Sequence, residues 1–351
     1  MTTSISLPLL AWFDTHQRPL PWRITRNPYA IWVSEVMLQQ TTVTAVVNYF
    51  HRFMAAFPTV EALAEADEQR VLRMWEGMGY YRRARHLHAA ARHLVSEHDG
   101  QLPDDPAIWA ALPGVGRYIL GAVLSQAFDR RLPIVEANSL RVLARLYGEE
   151  RDPRIGAGKA WVWQTAEELL PRKRVGDHNQ ALMELGALIC TVATPKCGDC
   201  PLRKVCIAKK LGKQDSIPPK PKAKTITAVR EVAVIVRDRS RVLLCQRSPT
   251  ASRWANMWEV PHGELQAGES DADAAVWIAK ELTGLTVAPG AEVMTIRHAV
   301  TRYAITMVCV DAKRIAGRFS SKLYAEGRWL KIEELADYPV SSPQRKLMRN
   351  I

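Results

Sequence analysis

Residues 28–40, PYAIWVSEVMLQQ, are apolar around most of a helical circumference, which places this helix inside a core. Asn27-Pro28 offers an N-cap followed by a proline at the first helical position, so the helix is expected to begin at Pro28. Helical spacing returns over 44–57, from about Asp67 to a stop at Gly77, and over 118–128, 161–168 and 177–189. Ahead of 118–128 lies Leu112-Pro113-Gly114-Val115-Gly116, a tight turn between two helical stretches. A mostly apolar run, 132–140, follows that helix. Residues 209–226 (KKLGKQDSIPPKPKAKTI) carry Lys and Pro with no apolar period and read as an extended linker. Beyond it the period changes: 231–236 and 241–245 are strand-like around a polar turn, and a helix is expected near 270–282. The pattern predicts a mainly α domain over 1–208, the linker 209–226, and a smaller α+β domain over 227–351.

At 351 residues the chain is long enough for two or three cores. Its net charge of +12 and pI of about 9.5 favour a polyanionic partner, nucleic acid or an anionic membrane surface. No stretch approaches the roughly 20 apolar residues that span a bilayer. The N-terminus lacks a basic region and is interrupted by Pro8 and Asp14, so no signal peptide is expected. Four of the six cysteines, Cys190, Cys197, Cys200 and Cys206, fall within 17 residues, which points to a metal site in a reducing compartment. Their outer spacings are longer than the paired knuckles of common zinc sites. Cys245 and Cys309, on strands, read as buried small hydrophobes.

Candidate chemistry gathers around few charges. From Asn27 to Phe50 the only charged side chain is Glu35. A lone buried carboxyl has a raised pKa and keeps its proton near neutrality, as a general acid must; a Glu capping a neighbouring helix end is the alternative. Gly114 and Gly116 let a turn offer backbone N–H groups to a phosphate. Glu136 is the single carboxylate of the 132–140 run, with Asn138 beside it. Gly77-Met78-Gly79-Tyr80-Tyr81 is a flexible turn with two aromatics, followed by Arg82, Arg83 and Arg85; an aromatic there can wedge between bases while Arg meets phosphates. Arg23 closes a rigid basic lead-in, RPLPWR.

With these residues in view, nearly the whole chain, about 8–345, resembles the adenine DNA glycosylases of the MutY family. The turn at 112–116 resembles the hairpin of the helix-hairpin-helix glycosylases, and the separations of Glu35, Tyr118 and Glu136 (83 and 18 residues) match the family's. The family follows its hairpin with Asp-Gly-Asn, where Glu136-Ala137-Asn138 stands here. The extra methylene displaces the carboxylate by roughly 1.5 Å, and such a shift can cost on the order of a hundredfold where geometry is tight.

The resemblance implies Glu35 as general acid, Glu136 as the second carboxylate, and Asn138 and Tyr118 as positioning groups. It implies DNA contacts by Gln40, Tyr80, Gly114, Gly116, Arg23 and His298. Gln40 matches the residue that enters the duplex. Lyase-active relatives carry a Lys where Tyr118 stands, so base removal alone is expected. The cysteine spacing fits the family's iron–sulfur loop (190–206) and implies a [4Fe-4S] cluster, a zinc ion being the alternative. The second domain resembles a Nudix fold. Gly263, Glu269, Glu281 and Gly284 keep its fingerprint spacing, but Trp277, Ile278 and Leu282 replace its key charged residues, so hydrolysis of a pyrophosphate is not expected.

Ile296-Arg297-His298 matches the family's loop that senses 8-oxoguanine, with His298 retained. Implied partners are duplex DNA with an adenine mispair and the downstream base-excision-repair enzymes; a cytoplasmic, DNA-associated monomer is expected. Two rivals stand beside adenine excision: a glycosylase for another mismatched base, such as thymine or uracil opposite guanine, and a mismatch-binding protein without catalysis, motivated by Glu136.

Overall fold

The computed structural model describes residues 2–221, 225–266 and 268–351. In chain order the helices are α1 (Thr2–His16), α2 (Pro28–Leu38), α3 (Val43–Ala56), α4 (Val60–Glu65), α5 (Glu68–Met74), α6 (Arg82–His98), α7 (Pro106–Ala111), α8 (Arg117–Phe128), α9 (Ala137–Tyr147), α10 (Gly156–Glu168), α11 (Val175–Leu188) and α12 (Ile207–Lys210). Then follow strands β1 (Thr227–Asp238), β2 (Arg241–Arg247), β3 (Trp258–Glu259) and β4 (His262–Glu264) and helix α13 (Asp271–Thr283). Strands β5 (Thr286–Val300), β6 (Tyr303–Ala316) and β7 (Tyr324–Lys331) and helix α14 (Ser342–Met348) complete the chain. Among the described residues no helix is long and apolar enough to cross a membrane.

Two compact units emerge. The first comprises Met1–Glu65 and Ala89–Lys222 and is helical. Helix α2 starts where expected, because the Asn27 side chain accepts from the amides of Tyr29 and Ala30. Nine of its residues, Glu35 among them, are buried, which explains why its sequence shows no polar face. Helix α2 packs on α8, and α11 packs on α1, α8 and α9. The N-terminal stretch is one helix with Pro8 inside it and Leu9, Trp12 and Phe13 in the core. The expected linker is anchored at its start. Ile217 is buried beside Ala144 and Ala208, and the Arg145 side chain donates to the Ile217 carbonyl at 2.8 Å. Residues 222–224 of that linker lie outside the described residues.

The second unit comprises Ala66–His88 and Ala223–Ile351. Its mixed sheet runs β3-β2-β1-β6-β5, with β4 on β1 and β7 on β2; β1 and β6 are parallel and the other pairs antiparallel. Strand β1 shows why its sequence is continuously apolar. Val232, Val234 and Val236 face α13, while Ala233 and Ile235 face Leu335, Leu347 and Met348, so both faces are covered. The two fingerprint glycines serve packing and capping. A Cβ on Gly263 would stand 3.2 Å from Ile278 and Trp277, and Gly284 takes φ +73° as the C-cap of α13.

Residues 66–88 were expected in the contiguous 1–208 domain, yet they pack in the second unit. Side-chain bonds that no local pattern announces hold them there: Trp258 donates to Gln69 at 2.9 Å, Asn256 to Glu68 at 2.5 Å, and Arg345 to Glu76 at 2.7 Å.

Candidate active site

The packing of α2 against α8 buries Glu35, which is 3% exposed, between two neutral donors. The Tyr118 hydroxyl donates to Glu35 Oε2 at 2.5 Å, and Gln126 Nε2 donates to Oε1 at 2.8 Å. Tyr118 and Gln126 are eight residues apart on α8, so they share one helix face. Burial pushes the Glu35 carboxyl above its ordinary value, although both donors and the field of Arg23 pull it down. The Tyr118 phenol is pushed well above its ordinary value by burial and by Glu35. A buried carboxyl with a raised pKa has the environment that a general acid requires.

Glu136 ends the apolar run as the N-cap of α9. Its Oε1 accepts from the amides of Asn138 at 2.8 Å and Ser139 at 2.7 Å, and its Oε2 accepts from Asn138 Nδ2 at 3.2 Å. The Ser139 hydroxyl accepts in return from the Glu136 amide at 2.9 Å, completing a capping box in which the longer acid reaches the same donors that a shorter cap residue would use. The carboxylate therefore lies at the positive end of α9. Burial raises its pKa, the two amides and Arg141 oppose that, and Glu35 adds to it; the two acids sense each other's charge.

Asn138 is fixed in turn. Its Oδ1 accepts from Arg141 Nη2 at 2.9 Å, and Arg141 also donates to the carbonyls of Gly186 and Cys190, both at 2.8 Å. Helix α11 approaches so closely that a Cβ on Gly186 would sit 2.6 Å from Asn138 Cβ and 2.9 Å from its carbonyl oxygen. One buried proton donor, one carboxylate at a helix N-terminus and a rigid frame between them form an acid pair able to protonate a leaving group and stabilise a cation.

Residues 33–165 match the HhH-GPD superfamily of base excision DNA repair proteins, and residues 231–350 match the NUDIX domain. The adenine DNA glycosylase of Buchnera aphidicola subsp. Acyrthosiphon pisum is 34% identical over 257 residues, which cover 72% of this chain and 72% of that protein. This chain belongs to the adenine DNA glycosylase family. The rat adenine DNA glycosylase is 43% identical over 57% of this chain, and the chain spans 40% of the length of that relative. A solved thermostable thymine-DNA glycosylase is 29% identical with a TM-score of 0.55, covering 60% of this chain and 97% of that one.

In this family member the other expected residues divide. Gln40 and Tyr80, one in each unit, are both exposed, and both take positive φ, +59° and +48°, a costly conformation for residues with side chains. Gly114, at φ +77°, turns the hairpin into α8, and Gly116 caps that helix with no side-chain acceptor for its first amides. Arg23, expected on DNA, is engaged inside the protein. It donates to Gln180 at 2.8 Å, to Glu184 at 3.1 Å and to the Arg18 carbonyl at 3.2 Å, and its side chain is 12% exposed. His298 lies on β5, opposite Ile305 of β6, and not in a loop; the turn between the strands is at Thr301-Arg302. Burial lowers its pKa, and its Nδ1 is buried without a hydrogen-bond partner.

Cys190, Cys197, Cys200 and Cys206 line one cavity with Arg145, Arg203, Lys209 and Gln214. Among the described residues no three His, Cys, Asp or Glu side chains close on a point as a single ion requires. Arg145 donates to the carbonyls of Thr191 and Val192 and lies 3.4 Å from Cys190 Sγ. Gln214 Oε1 is buried at the cavity without a partner.

Sequence reading missed Gln126 and Arg141. Gln126 was legible as the polar residue on the face of α8 that carries Tyr118. Arg141 had no sequence signal, because its partners lie 45 and 49 residues away.

Proposed function

We infer that the protein removes adenine mispaired with 8-oxoguanine or guanine from duplex DNA by hydrolysing its N-glycosidic bond, and leaves the strand uncut. The observation that carries this reading is Glu35, buried, bonded to neutral donors alone and close enough to Glu136 for their charges to interact, in a member of the adenine DNA glycosylase family.

Adenine must leave the stack to reach a buried acid. Gln40 fills the space it vacates, Tyr80 acts as an aromatic wedge on the duplex, and the amides at the start of α8 grip the backbone. Glu35 gives its proton to a ring nitrogen of the adenine. The bond from the sugar to N9 then breaks, and its electron pair stays with the base. The sugar becomes an oxocarbenium ion, which the Glu136 carboxylate stabilises or captures until water adds to the anomeric carbon. Asn138 holds Glu136 by a 3.2 Å bond and is itself held by Arg141. Tyr118 has no amine with which to form a Schiff base, so the product is an abasic site, which a strand-incising repair enzyme must consume.

The four cysteines fit a [4Fe-4S] cluster: the thiols share one cavity, their spacing resembles the family's iron–sulfur loop, and Arg145 and Lys209 stand beside them to offset thiolate charge. Bound there, the cluster supplies a polynuclear iron centre that ties 190–206 together next to the Cys190 carbonyl that Arg141 grips. The thymine-DNA glycosylase relative favours the rival base specificity, but 97% of it aligns within 60% of this chain, so it has no counterpart of most of the second unit.

Single-turnover reactions on end-labelled duplexes with adenine opposite 8-oxoguanine, guanine or cytosine test the reading, each reaction split into alkali-treated and untreated halves. Strand breaks appear only after alkali, and Glu136→Gln loses them by on the order of a thousandfold. Breaks without alkali would sink the base-removal reading. Tight binding without excision would leave mismatch recognition alone.

A further inference from the structure

The turn that carries Tyr80 is unusual in its backbone. Gly77, Gly79 and Tyr80 take φ of +92°, +68° and +48° within four residues. A turn of this kind keeps its shape only where neighbours over-determine it. Its own side chains give part of that restraint: Trp75 Nε1 donates to the Gly79 carbonyl at 3.1 Å, and Arg83 donates to the carbonyls of Met78 and Gly79 at 3.2 and 3.3 Å. The rest comes from the other end of the chain. Just before the turn, Arg345 grips the Glu76 carboxylate with two parallel bonds, Nε to Oε1 at 2.7 Å and Nη2 to Oε2 at 2.9 Å. Both side chains are 11% exposed. Just after the turn, the Tyr81 hydroxyl donates to the Val340 carbonyl at 3.1 Å. Arg345 is itself aimed by the carbonyls of Leu335 and Tyr338 at 3.0 and 2.6 Å.

We propose that Arg345 is a positioning residue for base displacement: through Glu76 it fixes the turn that presents Tyr80 to DNA. This rests on Tyr80 being the wedge. The planar guanidinium suits the task, because two parallel bonds fix direction as well as distance, which a lysine ammonium cannot do. Tyr80 itself stays 53% exposed, with the Arg83 guanidinium 5.4 Å from its ring centroid, so the clamp orders the turn and leaves the aromatic ring accessible to a duplex. The unit that follows the linker thereby takes part in opening the helix as well as in reading the mispair.

The test is a double-mutant cycle in the full chain, with 2-aminopurine placed beside the mispair to report unstacking. Tyr80→Ala, Arg345→Met and the double variant are compared for the fluorescence rise on binding and for single-turnover excision. Arg345→Met lowers both by about tenfold or more, as Tyr80→Ala does. In the Tyr80→Ala background the Arg345 substitution adds nothing further. Tyr81→Phe, which removes one hydroxyl, moves the same signal in the same direction and serves the cycle if Arg345→Met does not fold. A wild-type signal in folded Arg345→Met protein overturns the proposal, as does an equal loss with and without Tyr80. If Tyr80→Ala leaves the fluorescence unchanged, the wedge reading falls first and takes the proposal with it.

Discussion

The two units each bury glutamates, and they treat them in opposite ways. In the first, Glu35 meets a phenol and an amide, both neutral, and its pKa rises. In the second, Glu259 is equally buried but accepts from Arg247 at 2.8 Å and from Tyr324 at 3.0 Å, and lies 3.5 Å from His262. Burial alone would raise Glu259 as it does Glu35, yet His262 and Arg247 bring it below its ordinary value. Glu184 in the first unit follows the second pattern: against the pull of burial, Arg18 and Arg23 bring it down to about 2. The difference is charge in the partner, since burial is common to all three. Neutral donors offset burial only in part and leave the acid's pKa raised; cationic partners bring it below its ordinary value and fix it as a structural ion. By this criterion the Glu231–His262–Glu259 cluster is an internal ion network of the second unit.

The largest test of this contrast is Glu35→Gln, which keeps the volume and removes the proton. Excision falls on the order of a thousandfold in single turnover, with duplex affinity retained. A variant within tenfold of wild type would remove Glu35 from the reaction. Glu136 stands between the two patterns, since amides, an arginine and the other acid all act on it. Gly186→Ala sharpens that intermediate case without touching a reacting group. The new methyl collides with Asn138, displaces the Glu136 cap, and lowers excision by on the order of a hundredfold while lowering the melting temperature. Unchanged rates would mean that the position of Asn138 does not matter.

Much of this arrangement was legible in the sequence, and the limits of legibility are physical. Glu35 stood out because nothing else between Asn27 and Phe50 carries charge, and the hairpin announced itself by its turn residues. Glu136 was found as an acid, but its capping of α9 was not, because Glu is a poor N-cap by preference and only the completed box with Ser139 makes it one. The internal bonds of Arg23 were not legible, since its partner Glu184 lies 161 residues away, and a basic residue in a basic protein reads by default as a phosphate contact. The placement of 66–88 in the second unit rests on side-chain bonds spanning 188, 189 and 269 residues, beyond any periodicity. The alternation of β5 does not separate strand from loop at Ile296–His298, where partner β6 decides.

A smaller effect probes the neutral donor itself. In Tyr118→Phe, Glu35 loses a bond that favours its ionised form, so its pKa moves further up. Excision drops by about tenfold at most. The decline of rate at high pH, where Glu35 loses its proton, moves to higher pH. A decline moved downward, or unmoved, would mean that Glu35 does not control that limb.

The second unit provides the opposite control, with no expected effect on the chemistry. Glu259→Gln leaves His262 and Arg247 short of one counter-charge. Burial alone would depress His262, but Glu259 and Glu231 push it up to about 10 from an ordinary 6.5. A raised histidine stabilises the fold fully below the ordinary value, and that contribution is lost as pH rises through about 10. The variant therefore loses about 3–5 kcal/mol near neutrality, as expected for breaking a buried pair. The deficit narrows above pH 10, where the wild type has lost the His262 charge as well. Urea unfolding at several pH values, paired with excision by the folded fraction, measures both. Equal deficits at every pH would deny that His262 is charged in the native state. A fall in excision by folded Glu259→Gln protein would break the comparison itself, because the ion network would then belong to the reaction.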